Sequence, residues 1–152
     1  MLSTAQDVAP GRFTVDEASH TIRFMRELAA EPNAVFAAWT QPEQISRWWD
    51  PNGKTLATCE IDLRVGGGFK FVQSEHPEMP FAGTYRVIDP PARLEFDALG
   101  ALGKVSLEPR EAGTQMTVEI VCQSAEHLAQ FIQHGVAEGT AKTLDNLVAF
   151  VS

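Results

Sequence analysis

"SAEHLAQFIQHGVAEGTAKTLDNLVAFVS", from Ser124 to Ser152, closes the chain, and its reading decides the fold. Leu128, Phe131, Ile132, Val136, Thr140, Thr143, Leu144, Leu147, Val148 and Val151 recur at the spacing that gathers side chains on one helical face. Ser124 stands where an N-cap belongs. The stretch reads as one long amphipathic helix, which at ~1.5 Å per residue can lie across most of a small sheet. Gly135 and Gly139 share a face of it, and each costs up to ~1 kcal/mol against alanine in a helix interior. Two reasons would offset that cost: close approach of the helix to a sheet, or space for a ligand.

The residues before the helix supply the sheet. "LATCEIDLRV", "GFKFVQ", "FAGTYRVI", "ARLEFDA", "KVSLEP" and "TQMTVEIVC" alternate, are rich in Val, Ile, Phe and Thr, and are separated by Gly, Pro or Asp. They read as six strands in a meander. Further back, "RFTVDEASHTIRFMREL" reads as a short strand, a turn at Glu17–Ser19 and a longer strand from about His20 to Leu28. Between lie two short helices. "EPNAVFAAWT" carries Pro32 at the first helical position and Val35, Phe36 and Trp39 on one face. In "QPEQISRWWD", Thr40 is the expected cap, with Glu43 three residues on, and Pro51, Asn52 and Gly53 end the helix. An antiparallel sheet with one apolar face must be covered, so the class is α+β, with the last helix across the sheet.

Composition narrows the function. With 152 residues, 44% of them apolar, the chain makes one domain with a real core, expected over residues 13–152 behind a loose tail of residues 1–12. A net charge of −8 and the lack of any Lys/Arg run exclude a nucleic-acid partner, which needs a basic face. No stretch approaches the ~20 apolar residues of a membrane span, and "MLSTAQDVAPGRF" has no basic leader or apolar segment of an export signal. Cys59 and Cys122 sit apart in strand-like runs, which fits reduced, buried thiols in a cytoplasmic protein.

Alternation gives an inward face to each strand: Ile22, Phe24, Arg26 and Leu28; Phe69 and Phe71; Phe81, Gly83, Tyr85 and Val87; Leu94 and Phe96; Val105 and Leu107; Met116, Val118, Ile120 and Cys122. Arg26 and Tyr85 are the polar members of this lining. They are either the polar handles of a small-molecule pocket, or Arg26 pairs at the rim with a carboxylate such as Asp62 while Tyr85 bonds a backbone carbonyl. All three tryptophans fall within "WTQPEQISRWWDP". Trp39 belongs to the core by its helical position. Trp48 and Trp49 point ~100° apart on a helix, so one of them is expected at a cavity mouth or an interface.

Signatures of chemistry are weak. His127 and His134 are seven residues apart, ~10.5 Å along a helix, too far to grip one metal, and two separated cysteines give no zinc spacing. "PNGKT" and "GALGKV" lack the first glycine of a phosphate loop, and "RVGGGFKF" opens a strand where a dinucleotide fingerprint opens a helix. Glu95 and Asp97 share the outward face of their strand, as a solvated pair. No metal or other cofactor is expected.

Four ordered segments carry a resemblance. Ala30, Val35, Phe36, Ala38, Trp39, Thr40, Pro42, Glu43, Trp48, Trp49 and Pro51 form the first; "DLRVGGGFKF", "FAGTYRVIDPPARLEF" and "GVAEGTAKTLDNL" follow. Together they resemble the activator-of-heat-shock-protein-90-ATPase homologue group of the START-like (SRPBCC) superfamily, from about His20 to Phe150. The resemblance implies a helix-grip fold, a curved seven-stranded antiparallel sheet around the C-terminal helix, with a cavity between them. The family often has Trp where this chain has Thr140, which either enlarges the cavity or leaves a gap for neighbours to fill. The resulting expectation is a protein that binds a small apolar or aromatic ligand. Its site would draw on Arg26, Trp48, Phe69, Phe71, Phe81, Tyr85, Phe96, Met116, Phe131, Gly135, Val136 and Thr140. A cyclase- or hydrolase-type enzyme using Arg26, Tyr85 and His76 is the alternative. Co-chaperone action on a heat-shock ATPase ranks behind both, because the added N-terminal domain of the full activators has no counterpart here. A homodimer through an exposed tryptophan is a further arrangement.

Overall fold

The computed structural model describes residues 13–152; the expected tail, residues 1–12, lies outside the described residues. Two strands come first, β1 (Thr14–Asp16) and β2 (Thr21–Leu28). Helices α1 (Pro32–Thr40) and α2 (Pro42–Ile45) follow, then strands β3 (Thr58–Ile61), β4 (Gly68–Gln73), β5 (His76–Asp89), β6 (Arg93–Ala98), β7 (Ala101–Arg110) and β8 (Gly113–Val121). Helices α3 (Ala125–Gln133) and α4 (Val136–Phe150) end the chain. The strands form one antiparallel sheet in the order β1-β2-β8-β7-β6-β5-β4-β3. The sheet has eight strands against the seven implied by the resemblance, with the short β1 as the added edge.

One face of the sheet holds the core. Ile22, Phe24, Phe69, Phe71, Leu94, Val105, Met116 and Val118 are all buried, as period-two alternation requires. Val87 departs from it. A register shift between Tyr85 and Val87 inserts a residue, so Val87 pairs with Glu95, while Ile88 pairs with buried Leu94 and packs on the core. One extra residue flips every later side chain to the other face.

The terminal helix is not continuous. Gly135 adopts φ +76°, the left-handed conformation open to glycine at little cost, and this ends α3 and starts α4 at a corner. Ser124 caps α3 as expected, its Oγ accepting from the His127 N–H at 3.1 Å. The second short helix is also shorter than its pattern. It stops at Ile45, and Trp48 and Trp49 lie in the turns beyond it. Thr40 does not cap it: its hydroxyl donates back to the Phe36 carbonyl at 2.8 Å, and Gln41 takes the cap position.

Helix α4 packs against β2, and α1 against β7 and β8. The buried stripe of α4 is Ala137, Ala141, Leu144 and Leu147. Its two alanines let the helix axis approach the sheet near β2. Among the described residues no helix is long and apolar enough to cross a membrane. Cys59 and Cys122 are both free thiols.

Candidate ligand-binding cavity

Small residues on both walls leave a hollow. On the sheet, Ala98, Ala101 and Gly103 occupy inward positions of β6 and β7 in adjacent register. On α4, Val136, Gly139, Thr140 and Thr143 fall three and four residues apart, on one face beside the packing stripe. Between these walls lies a cavity of about 260 Å³. Trp39, Trp49, Phe81 and Phe96 form its aromatic side, and Phe131 of α3 closes another.

The glycines show how the hollow is kept open. A Cβ on Gly139 would meet nothing within 4 Å, so the helix makes no close approach there. Of the two reasons for a helix glycine, space is the one the structure supports at this position. Gly103 is different: a Cβ on it would lie 2.6 Å from the Phe96 ring, its cross-strand partner. The ring lies over the bare backbone of β7 and becomes cavity wall instead of filling the cavity.

Five of the twelve expected site residues line the cavity: Phe81, Phe96, Phe131, Val136 and Thr140. The others lie elsewhere, each for a physical reason. Trp48 is fully buried, and its indole N–H donates to the Ala38 carbonyl at 3.1 Å; it is Trp49 that faces the cavity. Trp39 is buried, stands edge-on to Trp48 at 5.0 Å, and also contributes to the wall. Of the three, Trp39 and Trp48 are buried and Trp49 is half-buried. Met116 is sealed in the core, its sulfur 3.4 Å from the Trp39 indole nitrogen. Gly135 forms the helix corner, with no part in the lining.

Arg26 is held away from the cavity. Its Nε donates to Asp145 Oδ1 at 2.9 Å and its Nη1 to the Met25 carbonyl at 2.9 Å, with only 8% of the residue exposed. The partner expected from sequence, Asp62, pairs with Arg64 at 2.9 Å. Sequence distance hid the true pair, since β2 and α4 meet only in the fold. His76 is exposed at the β4–β5 turn, 3.7 Å from Glu78. β2 and β5, which carry Arg26 and Tyr85, are separated by three strands, so the proposed acid–base trio is not assembled.

Phe69, Phe71 and Tyr85 lie behind the aromatic wall, around a second, much smaller hollow. Tyr85 does not bond a backbone carbonyl, and its hydroxyl is not among the fully enclosed side-chain atoms without a partner, which among the described residues are His20 Nδ1 and Asp50 Oδ2. Burial, with a lesser contribution from the Cys59 charge, pushes the phenol pKa well above its usual value. Burial and then Glu43 push Cys59 up to about 11, and burial also raises Cys122. Both thiols are therefore protonated and poorly nucleophilic near neutrality.

Polar groups on the cavity wall are few. Thr143 is already committed, donating to the Trp49 carbonyl at 2.9 Å, and so fixes that indole's backbone against α4. Gln73 stands where a second hollow, of about 440 Å³, shares Trp49, Phe81 and Leu99 with the cavity and is lined further by His76, Met79 and Pro80. Met79 and Leu99 are 69% and 60% exposed, an apolar rim at the opening. Ala98, Ala101 and Gly103 are lining residues that the sequence reading did not single out. Continuing the alternation of β6 and β7 to their small residues would have reached all three.

Comparison with known proteins agrees with this architecture. The family model described as Activator of Hsp90 ATPase homolog 1-like protein matches residues 29–152. A crystal structure of a Nitrosomonas europaea protein is 24% identical, covers 89% of this chain and 96% of its own, and superposes with a TM-score of 0.79. An Arthrobacter aurescens protein is 25% identical over 94% of this chain and 92% of its own, with a TM-score of 0.77. An AHSA1-like protein from Aeromonas hydrophila is 26% identical over 86% of this chain and 91% of its own, with a TM-score of 0.71. No curated protein matches the chain. The antiparallel sheet closed by its own last helix is thus a helix-grip fold, and the chain belongs to the activator of Hsp90 ATPase homolog 1-like family of the START-like superfamily.

Proposed function

We propose that the protein binds one small apolar or aromatic molecule in the cavity between the sheet and α4. The fold supports a ligand-binding or co-chaperone-like role in general. What favours the ligand reading is Gly139, whose missing side chain adjoins open space inside an otherwise well-packed domain. A helix interior gains by having alanine in place of glycine, so a void kept open beside a glycine is a feature that packing alone does not account for. An engineered apolar cavity of ~150 Å³ takes up benzene. At about 260 Å³, this one has room for roughly two fused rings. Aromatic walls with few free polar groups favour such a ligand over a sugar or a nucleotide.

Titration with 2-ethylnaphthalene, followed by tryptophan fluorescence and calorimetry, tests the proposal. Saturable binding of one molecule per chain is expected, and it should disappear in a folded Gly139→Phe variant whose ring occupies the hollow. Absence of saturable binding to the unaltered protein, or equal binding to both, would overturn the reading.

A further inference from the structure

We propose that the ligand is an uncharged aryl carboxamide, held by the side-chain amide of Gln73 on the cavity wall. This class rests on the ligand reading above and adds the charge and the polar group that the cavity selects. Charge comes first. Among the described residues no Lys or Arg borders the cavity, and its one ionisable lining residue is Glu119. That carboxylate belongs to the other face of the sheet. Glu119 lies directly across from Arg23, which alternates with the buried Ile22 and Phe24, and its Oε2 accepts from Arg23 Nε at 2.7 Å. The inner walls therefore carry no charged side chain.

The neighbouring hollow offers no cation in compensation. Its one ionisable lining residue, His76, is exposed and stands 3.7 Å from Glu78. A carboxylate leaving water for this site would find no counter-charge, and burying an unpaired charge costs far more than burying a neutral amide. The chain's net charge of −8 adds to the repulsion. The same ring bearing a neutral polar group meets no such barrier.

Gln73 supplies the partner for that group. It follows buried Phe71 by two residues on β4, so it shares the inward face, and it lines the cavity beside Trp49, Phe81 and Leu99. The residue is half-buried, and among the described residues its amide makes no hydrogen bond to the protein. Nor is that amide among the side-chain atoms sealed from solvent, so a ligand can reach it. Thr143, by contrast, is committed to the Trp49 carbonyl. An amide side chain presents an acceptor oxygen beside two donor hydrogens, and a ligand carboxamide presents the matching set. The two groups can therefore form paired N–H···O bonds, while the ring occupies the apolar hollow. A single placed polar group among apolar walls is what orients a small ligand.

Three probes of nearly the same shape test this: 2-naphthamide, 2-naphthoate and 2-ethylnaphthalene. At pH 7 only the acid is charged, and the amide should bind at least about tenfold more tightly than it. Between pH 8 and pH 6 the acid's affinity should rise about tenfold per unit, as its neutral fraction does, while the amide's stays level. In a Gln73→Met variant the affinity of 2-naphthamide relative to 2-ethylnaphthalene should fall roughly fivefold to tenfold. A carboxylate that binds as tightly as the amide or without pH dependence would overturn the inference while leaving the cavity's role intact. So would an amide-to-hydrocarbon ratio unchanged by Gln73→Met. If 2-ethylnaphthalene itself does not bind, the ligand reading fails and this inference falls with it.

Discussion

The two glycines of the terminal segment should respond to the same substitution with opposite signs. At Gly139 an added methyl meets nothing within 4 Å, and the backbone is ordinary helix. Gly139→Ala should therefore recover most of the intrinsic difference between the residues, ~0.8–1 kcal/mol of stabilisation. With an unfolding entropy of ~2.1 cal/mol/K per residue, a chain of 152 residues gains about 3 °C in Tm from 1 kcal/mol. At Gly135, φ is +76°, where a Cβ costs ~1–2 kcal/mol, partly offset by ~0.4–1 kcal/mol from restricting the unfolded chain. Gly135→Ala should lower Tm by up to about 5 °C. Scanning calorimetry with a check of reversibility measures both. A lower Tm for Gly139→Ala would mean that something packs against that face, and the reasoning that places a cavity there would be refuted.

Other substitutions probe the supports of the site. Asp145→Ala should cost about 1–2 kcal/mol, because it strips Arg26 of its carboxylate while the guanidinium stays buried; Asp145 is itself about half exposed, which moderates the loss. Denaturant midpoints read this, and an unmoved midpoint would count against the pair. Trp48→Ala should destabilise by ~3–5 kcal/mol as a filled core position is emptied. Trp49→Ala should cost less stability and more affinity for a naphthalene probe, and the reverse ranking would exchange the roles given to the two indoles. Cys59 titrates near 11 in the folded protein against 9.0 unperturbed, so between these values the unfolded state has lost a proton that the folded state keeps. Stability should then fall as pH rises from about 9 towards 11. Cys59→Ala should flatten part of that slope, and an identical alkaline profile would contradict the shift.

Much of the fold was legible because local patterns and global demands coincide. Alternation from Leu56 to Cys122 marked six strands, and Pro32, Ser124 and the apolar spacing of the last segment marked helices where they are found. The failures share one cause. Gly135 breaks the last helix, yet periodicity continues across it, because α3 and α4 pack on each other and each buries apolar residues, Leu128 in α3 and Ala137, Ala141, Leu144 and Leu147 in α4. Val87 lost its inward place to a bulge that nothing in "GTYRVID" announces. Asp145 as the partner of Arg26 lies 119 residues away, beyond any local pattern. For the cavity, large aromatic residues drew the sequence reading, and Phe81, Phe96 and Phe131 do form wall. A hollow is made as much by residues that are small, and Ala98, Ala101 and Gly103 show that role only when both walls are seen together.

An apolar space lies beneath α4, and a crystal exposed to xenon under pressure tests for it without any choice of ligand. Xenon enters dry apolar cavities of this kind. An ordered xenon atom enclosed by Phe96, Phe131 and the bare Cα of Gly139 is the predicted result. Side chains closed together at Gly139, with no xenon between the helix and β7, would contradict it.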